Sequence, residues 1–141
     1  MKRVIVILML VSLSSGMLPS QSTNTSSMQQ FLLIFRFKSN FVPSSRQVLQ
    51  ANIRRWQDYM NELGQSGELV TALRPSTEGR TISGTRKEIK DSSYIANNEL
   101  VSSCIVVKVS SMDEASEIAK KCPIFEFDGS VEIRPLEYTS H

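Results

Sequence analysis

Two arginines and one aspartate carry the clearest chemical potential in this sequence of 141 residues. Arg36 and Arg134 each lie in a short run that reads as a β-strand, in which successive side chains point to opposite faces of the sheet. Both arginines are expected on the same face. A guanidinium group offers paired donors to a carboxylate or a phosphate. Asp91 and Tyr94 lie on a polar segment that could border the same place. These four side chains are therefore candidates for binding a small anionic ligand, and Asp91 could serve as a base.

Each of these residues also has a purely structural alternative. Arg36 and Arg134 could be solvated, or could pair with acidic side chains on neighbouring strands, where an exposed ion pair contributes at most about 1 kcal/mol. Asp91 could accept hydrogen bonds from the backbone of a turn, as aspartate commonly does. The sequence leaves both interpretations open.

The composition excludes several classes of function. The net charge is +2 and the basic residues are scattered, so the electrostatic footprint of a nucleic-acid-binding protein is missing. The single histidine is His141, the last residue, which argues against histidine-dependent triads, metal sites and proton shuttles. With two cysteines, we expect neither a four-cysteine zinc site nor a disulfide-rich scaffold. No metal and no cofactor are expected.

The beginning of the sequence has the layout of a secretory signal peptide. A basic start precedes an apolar run over residues 4–13, which is shorter than the roughly 20 residues that span a bilayer. We predict a signal peptide over residues 1–22, cleaved between residues 16 and 22, and a flexible spacer over residues 23–30. The protein would then be exported, to the periplasm or the medium, with no stable membrane anchor after cleavage. Two alternatives stay open: an uncleaved anchor, or a cytoplasmic protein that starts at Met28.

The rest of the chain predicts four main strands and two helices. Apolar or alternating runs indicate the strands, and a polar segment around a Gly-containing turn indicates a small hairpin. The strands cover residues 31–35, 69–73, 101–109 and 131–136, and the hairpin turns at Ser83-Gly84. We assign one domain to residues 31–137 and a tail to residues 138–141.

Apolar spacing and capping residues define the two helices. Steps of four and three residues give the first helix one apolar stripe, with a cap expected at Ser44 and an end within residues 64–67. Trp56 lies on this stripe, so we expect it in the core, with ligand stacking as the alternative. Ser111 and Glu114 form a capping box that starts the second helix. The stripe consists of Leu49, Ile53, Trp56, Met60 and Leu63.

The order strand, helix, strand, hairpin, strand, helix, strand describes a ferredoxin-like α+β sandwich of the βαββαβ type with a hairpin insert. Both helices should cover one face of the sheet and leave the other face open. Alternation puts Arg36, Lys108, Glu132 and Arg134 on the open face, beside apolar side chains that a monomer would expose. We therefore expect a homodimer.

The two cysteines are expected to remain free thiols. Cys104 should share the open face with Val106 and Lys108, whereas Cys122 ends the second helix on the other side of the sheet. Side chains that point apart do not meet the geometry of a disulfide. We expect this even if export places the protein in an oxidising compartment.

With these elements in place, the chain resembles the YCII-related, DGPF-type domain family. The resemblance runs from Met28 to Leu136 and is carried by the stretches FLLIFR, WQDYMNELGQSGELV, SMDEASEIAKKCP and VEIRPL. It implies a ferredoxin-like fold that pairs into a dimeric α/β barrel. Most members have no established activity, and a few similar proteins act on small aromatic or chlorinated compounds with a histidine–aspartate pair.

The sequence departs from the family pattern where a reaction would take place. The Asp-Gly-Pro-Phe signature is DSSY at residues 91–94, and the small glycine pair before the third strand is Ser102-Ser103. Enzyme-like members carry a histidine on the first helix, and counting back from Gly67 places that position at about Trp56 in this chain. The histidine–aspartate pair is therefore absent.

Two functions follow from these observations. The first is an exported, non-catalytic module that binds a small anion or a partner. The alternative is a small-molecule lyase or isomerase that uses Asp91 together with Arg36 or Arg134. A closed pocket with Asp91 beside an arginine would favour the enzyme, and an open, shallow face would favour binding.

Overall fold

The main strands and helices follow one another along the chain in the predicted order. The computed structural model describes residues 27–137. Its elements are β1 (Gln29–Lys38), α1 (Arg46–Ser66), β2 (Leu69–Leu73), β3 (Thr81–Ser83), β4 (Glu88–Lys90), β5 (Glu99–Val109), α2 (Met112–Lys120), a 3-10 helix (Pro123–Phe127) and β6 (Ser130–Pro135). The predicted signal peptide, the first half of the spacer and the tail lie outside the described residues. β1 begins at Gln29, two residues inside the predicted spacer.

The main sheet has the ferredoxin-like topology that the sequence predicted. Its strands lie in the order β2, β5, β1, β6, and each neighbouring pair is antiparallel. β3 and β4 form the predicted hairpin as a separate two-stranded sheet. Among the described residues, no helix is long and apolar enough to cross a membrane.

The core is one apolar layer between the sheet and both helices. Alternate side chains of β1 and β5 point into this layer and are buried, while Leu32, Ile34, Cys104 and Val106 face the other way and are only half-buried. The predicted assignment of faces is therefore confirmed. The buried layer contains Phe31, Leu33, Phe35, Tyr59, Leu63, Ile105, Val107, Val109, Ala115, Ile118 and Ala119.

The start of α1 differs from the prediction by one residue. Ser45, and not Ser44, is the N-cap, because its hydroxyl accepts a hydrogen bond of 3.1 Å from the backbone N–H of Val48. The helix ends at Gly67 with a φ of 76°, a left-handed conformation that glycine adopts without strain. The predicted end of the helix is thus confirmed and its predicted cap is wrong.

The buried face of α1 is also rotated from the predicted stripe. Ile53 is exposed, whereas Asn52 and Tyr59 are buried. The Tyr59 hydroxyl donates to a backbone carbonyl of α2 at 3.2 Å, and the Asn52 amide donates to the Pro123 carbonyl at 3.0 Å and to the Glu126 carboxylate at 2.8 Å. These bonds satisfy buried polar groups and fix α1 against α2 and the 3-10 helix.

The second helix begins as predicted and is followed by an element that the sequence did not indicate. The Ser111 hydroxyl accepts from the backbone N–H of Glu114 at 3.2 Å, and the Glu114 carboxylate accepts from the backbone N–H of Ser110 at 2.8 Å. After α2 the chain forms the 3-10 helix instead of a plain loop, and Asn52 holds its first residue.

Replacing Ser45 by alanine should lower the free energy of unfolding by about 1 kcal/mol, because alanine cannot accept the hydrogen bond from Val48. Ser44→Ala is the matched control and should change stability by less than about 0.5 kcal/mol. Urea denaturation followed by circular dichroism, at an unchanged m value, measures both variants. Equal losses in the two variants would contradict the assignment of the cap.

Candidate functional site

Two arginines meet on a single carboxylate on the open face of the sheet. On β1, Nη2 of Arg36 donates to Oε2 of Glu132 on β6 at 2.7 Å. Arg134, two residues along β6, contacts Oε1 of the same carboxylate. The structure therefore brings the two predicted arginines together, in what we call the arginine cluster (Arg36, Glu132 and Arg134).

The register of β1 against β6 positions this cluster. Glu132 lies opposite Ile34, and Arg36 lies opposite Ser130, so Arg36 and Glu132 are diagonal neighbours on one face. Gly129 makes this pairing possible, because a Cβ atom there would come within 2.5 Å of the backbone oxygen of Arg36. Only glycine lets the chain enter β6 so close to β1.

The arginine cluster has a surplus of positive charge. Two guanidinium groups face one carboxylate, and the hydrogen bond from Arg36, followed by that from Arg134, holds the pKa of Glu132 below its usual range. Glu132 therefore stays ionised at neutral pH, and one positive charge is left over. The side chain of Arg134 is 65% exposed, so its guanidinium is accessible to an anion.

A second ion pair borders the cluster, and its acidic member, Glu99, lies two residues before the start predicted for the third strand. Nζ of Lys38 lies 3.0 Å from Oε1 of Glu99, and the Ser130 hydroxyl donates to Oε2 at 2.9 Å. The hydrogen bond from Lys38 is the main cause that lowers the pKa of Glu99, and the charge of Arg36 adds to it. Glu99 thus joins β1, β5 and β6 at one end of the sheet.

A β-bulge at Ser102 determines the face of the sheet that Glu99 takes. Phe35 pairs with Ser103 and Arg36 pairs with Val101, so Ser102 is the extra residue, and its hydroxyl donates to the Phe35 carbonyl at 3.1 Å. An extra residue reverses which face each following side chain takes. Counting by two from the end of β5 would put Glu99 on the core face. The serine pair was the one signal in the sequence for this irregularity.

Asp91 does not lie at the arginine cluster within one chain. Its Oδ1 is 2.5 Å from Nε of Arg80 on the same hairpin segment, and both side chains are largely exposed. Tyr94 is 71% exposed. The cleft around Asp91 is open, holds about 460 Å³, and is lined by neither Arg36 nor Arg134 in the described part of the chain. Within the described chain, Asp91 is therefore paired with Arg80 and with neither Arg36 nor Arg134.

Trp56 belongs to the core and does not line the open face. Its ring makes edge contacts with Phe35, at a centroid distance of 5.4 Å, and with Tyr59, at 5.8 Å. These partners lie on the helix side of the sheet, opposite Arg36. The core interpretation is confirmed, and Trp56 is removed from the candidate ligand-binding residues.

The two cysteines lie on opposite sides of the sheet and are free, as predicted. Cys122 is buried, and burial raises the pKa of its thiol to about 12. Cys104 is half-buried on the open face, where burial raises its pKa and the charge of Arg36 acts in the opposite direction. The position of Cys104 makes it a neighbour of the arginine cluster.

Two further features limit what the molecule can bind. Within residues 27–137, no three histidine, cysteine, aspartate or glutamate side chains converge to hold a metal ion. A depression of about 350 Å³ between the helices is lined by five carboxylates and one lysine, so its charge is unsuited to an anion. The open face is therefore the surface that fits the predicted ligand class.

The chain matches a protein family and is similar to solved structures. A model of the YCII-related domain matches residues 30–138. The chain is also similar to a solved structure of 5-chloro-2-hydroxyhydroquinone dehydrochlorinase from Burkholderia phenoliruptrix, in complex with 2,5-dihydroxybenzoquinone, at 14% identity and a TM-score of 0.45, covering 78% of this chain and 95% of that chain. No curated protein matches the sequence.

Acid should weaken the arginine cluster in a pH window that Glu132 sets. Because the pKa of Glu132 in the folded protein lies below its ordinary value of 4.5, its contribution to stability is complete above about pH 4.5 and is lost as the pH falls through the folded-state pKa. The urea midpoint of the wild type should therefore fall more steeply below this pH than that of Glu132→Gln, which cannot titrate.

Glu88→Gln is the control for this measurement, since Glu88 pairs with Arg86 on the exposed hairpin. Its acid profile should follow the wild type. Parallel profiles for the wild type and Glu132→Gln would show that the carboxylate does not stabilise the cluster.

Proposed function

The chain belongs to the YCII-related domain family, and from that premise we propose that it is a binding module for a small anion. One observation carries the proposal: Arg36 and Arg134 share the single carboxylate of Glu132 on a sheet face that no element of residues 27–137 covers. Paired guanidinium groups are suited to a carboxylate or a phosphate.

The surroundings of the cluster suit an anion with an apolar body. Leu32 lies opposite Arg134 in the register, and Ile34 and Val106 continue the same face toward the centre of the sheet. Glu132 holds Arg36 in one orientation, which reduces the entropy that a ligand must remove. The more exposed Arg134 is free to turn from Glu132 to the ligand. A small carboxylic acid with an aliphatic or aromatic body is therefore the ligand class that fits.

The enzyme alternative finds less support at this site. Asp91 is paired with Arg80, away from the arginine cluster. Glu132 is the carboxylate at hand, yet two arginines lower its pKa, which makes it a poor general base near neutral pH. Binding without catalysis is therefore the better match to the charges on this face.

Benzoate and inorganic phosphate are suitable probes, and thermal shift and titration calorimetry are suitable measurements. Arg36→Ala and Arg134→Ala should each weaken binding at least about tenfold, since a hydrogen bond to a charged group contributes about 1.5–3 kcal/mol. Glu132→Gln should strengthen binding, because it removes the negative charge that competes with the ligand while the amide oxygen can still accept a hydrogen bond from Arg36. Arg86→Ala, on the exposed hairpin, should bind like the wild type.

Binding that survives both arginine substitutions would contradict the proposed site. Stronger binding of phosphate than of benzoate would contradict the role of the apolar residues, while leaving the arginines as the anion-binding groups.

Export and homodimer formation complete the proposal. Export is supported by the basic start and apolar run of the sequence. N-terminal sequencing of the protein from its own cells should start between Met17 and Thr23, and a start at Met28 would instead support a cytoplasmic protein.

The homodimer is supported by the half-buried apolar residues on the uncovered face, since such faces normally pack on a second surface.

A further inference from the structure

Six charged side chains lie on the open face of β1, β5 and β6, four of them cationic and two acidic. The arginine cluster contains three of the six, and the ion pair of Lys38 and Glu99 contains two more. The sixth is Lys108, which lies between two buried valines of β5 and is itself exposed. Within residues 27–137, Lys108 takes part in no ion pair. The open face therefore carries a second surplus positive charge.

The strands next to Lys108 bring no carboxylate to it among the described residues. Its backbone N–H donates to the Glu68 carbonyl at 2.8 Å. The Glu68 carboxylate itself accepts from the Ser66 hydroxyl at 2.7 Å and lines the depression on the helix side. Toward β1, Lys108 lies opposite Gln30, whose amide is uncharged. The ammonium group is therefore available to an anion from outside the chain.

The register places Lys108 too far from the arginine cluster for one carboxylate to contact both. Glu132, which lies between the two guanidinium groups, is level with Ile34 on β1 and Cys104 on β5. Lys108 follows Cys104 by four residues along β5 and lies two strands away from Glu132. With a strand spacing of about 4.8 Å and a rise of about 3.4 Å per residue, the Cα atoms of Glu132 and Lys108 are about 17 Å apart.

Apolar side chains occupy the space between the two cationic positions. Leu32 on β1 and Val106 on β5 are cross-strand partners there, and both are half-buried. Ile34 extends the same surface toward the arginine cluster. The open face thus presents a cationic group, an apolar strip and a second cationic group in that order. This order suits a ligand with an apolar middle and an anionic group at each end.

We propose that the ligand of the open face is a dicarboxylic acid, held by the arginine cluster at one end and by Lys108 at the other. This inference rests on the proposed function, because it names the ligand class of the same site. The apolar body of the acid lies across Leu32 and Val106. A monocarboxylic acid of the same length would leave its apolar end beside the ammonium group, whereas a second carboxylate pairs with that charge.

Octanoate and suberate test the second anchor directly, because they share the same carbon chain and differ in one terminal carboxylate. In titration calorimetry, the wild type should bind suberate at least about fivefold more tightly than octanoate, which is the size expected of one largely exposed ion pair. Lys108→Gln should remove this preference by weakening the binding of suberate alone. Succinate should bind equally to the wild type and to Lys108→Gln, since its two carboxylates are too close together to reach both anchors.

Two further variants separate the position of Lys108 from its charge. Lys108→Arg keeps a cation at the same place and should keep the preference for suberate. Lys90→Gln removes the same charge from the exposed hairpin and should bind both acids like the wild type. Because the side chain of Lys108 is exposed, circular dichroism should show the fold of the wild type in every variant.

The outcomes separate this inference from the proposed function. Equal binding of the two acids by the wild type, or a preference that persists in Lys108→Gln, overturns the inference, and the proposed function still stands if Arg36→Ala and Arg134→Ala weaken the binding of octanoate. Loss of the preference in Lys90→Gln as well also overturns the inference, since net charge then explains it. If neither acid binds, or if both bind unchanged to the two arginine variants, the proposed function fails and the inference fails with it.

Discussion

Two helices cover only one face of the four-stranded sheet, and this one-sided burial determines where chemistry can occur. The side chains of β1 and β5 that point toward the helices are apolar and buried, from Phe31 to Val109. The alternate set must then face outward, because successive side chains of a strand point to opposite faces. Arg36, Glu132 and Arg134 belong to this outward set. The charges that could bind a ligand are therefore held by the same strands that form the core.

The outward face combines fixed charge with apolar surface. Glu132 keeps two guanidinium groups close together that would otherwise repel each other, and the three groups retain one positive charge. The ion pair of Lys38 and Glu99 lies beside them and is electrically balanced. The surplus charge of the cluster therefore lies on the β6 side of the sheet, next to half-buried apolar residues at its centre. Such a division suits a ligand that joins an anionic group to an apolar body.

The sequence predicted those parts of the fold that depend on periodicity and on local capping. Alternation identified the faces of the main strands, and the capping box at Ser111 identified the start of α2. Errors arose where a polar contact between distant residues decided the outcome. The buried amide of Asn52 depends on a carbonyl 71 residues away, and the bulge at Ser102 reverses the face of Glu99. Neither contact has a signature in the local pattern of apolar residues.

Asp91 is separated from Arg36 and Arg134 because its own segment of the chain bonds to itself and does not pack on the main sheet. Sequence spacing places Asp91 on a segment between two strands, and the segment forms a hairpin with its own internal bonds, such as that from Arg80. Ordering each residue of such a segment costs about 1–2 kcal/mol in backbone entropy, and within the described chain almost no apolar burial offsets that cost. The open face is likewise uncovered within the described residues, and it is continuous with the hairpin through Leu73.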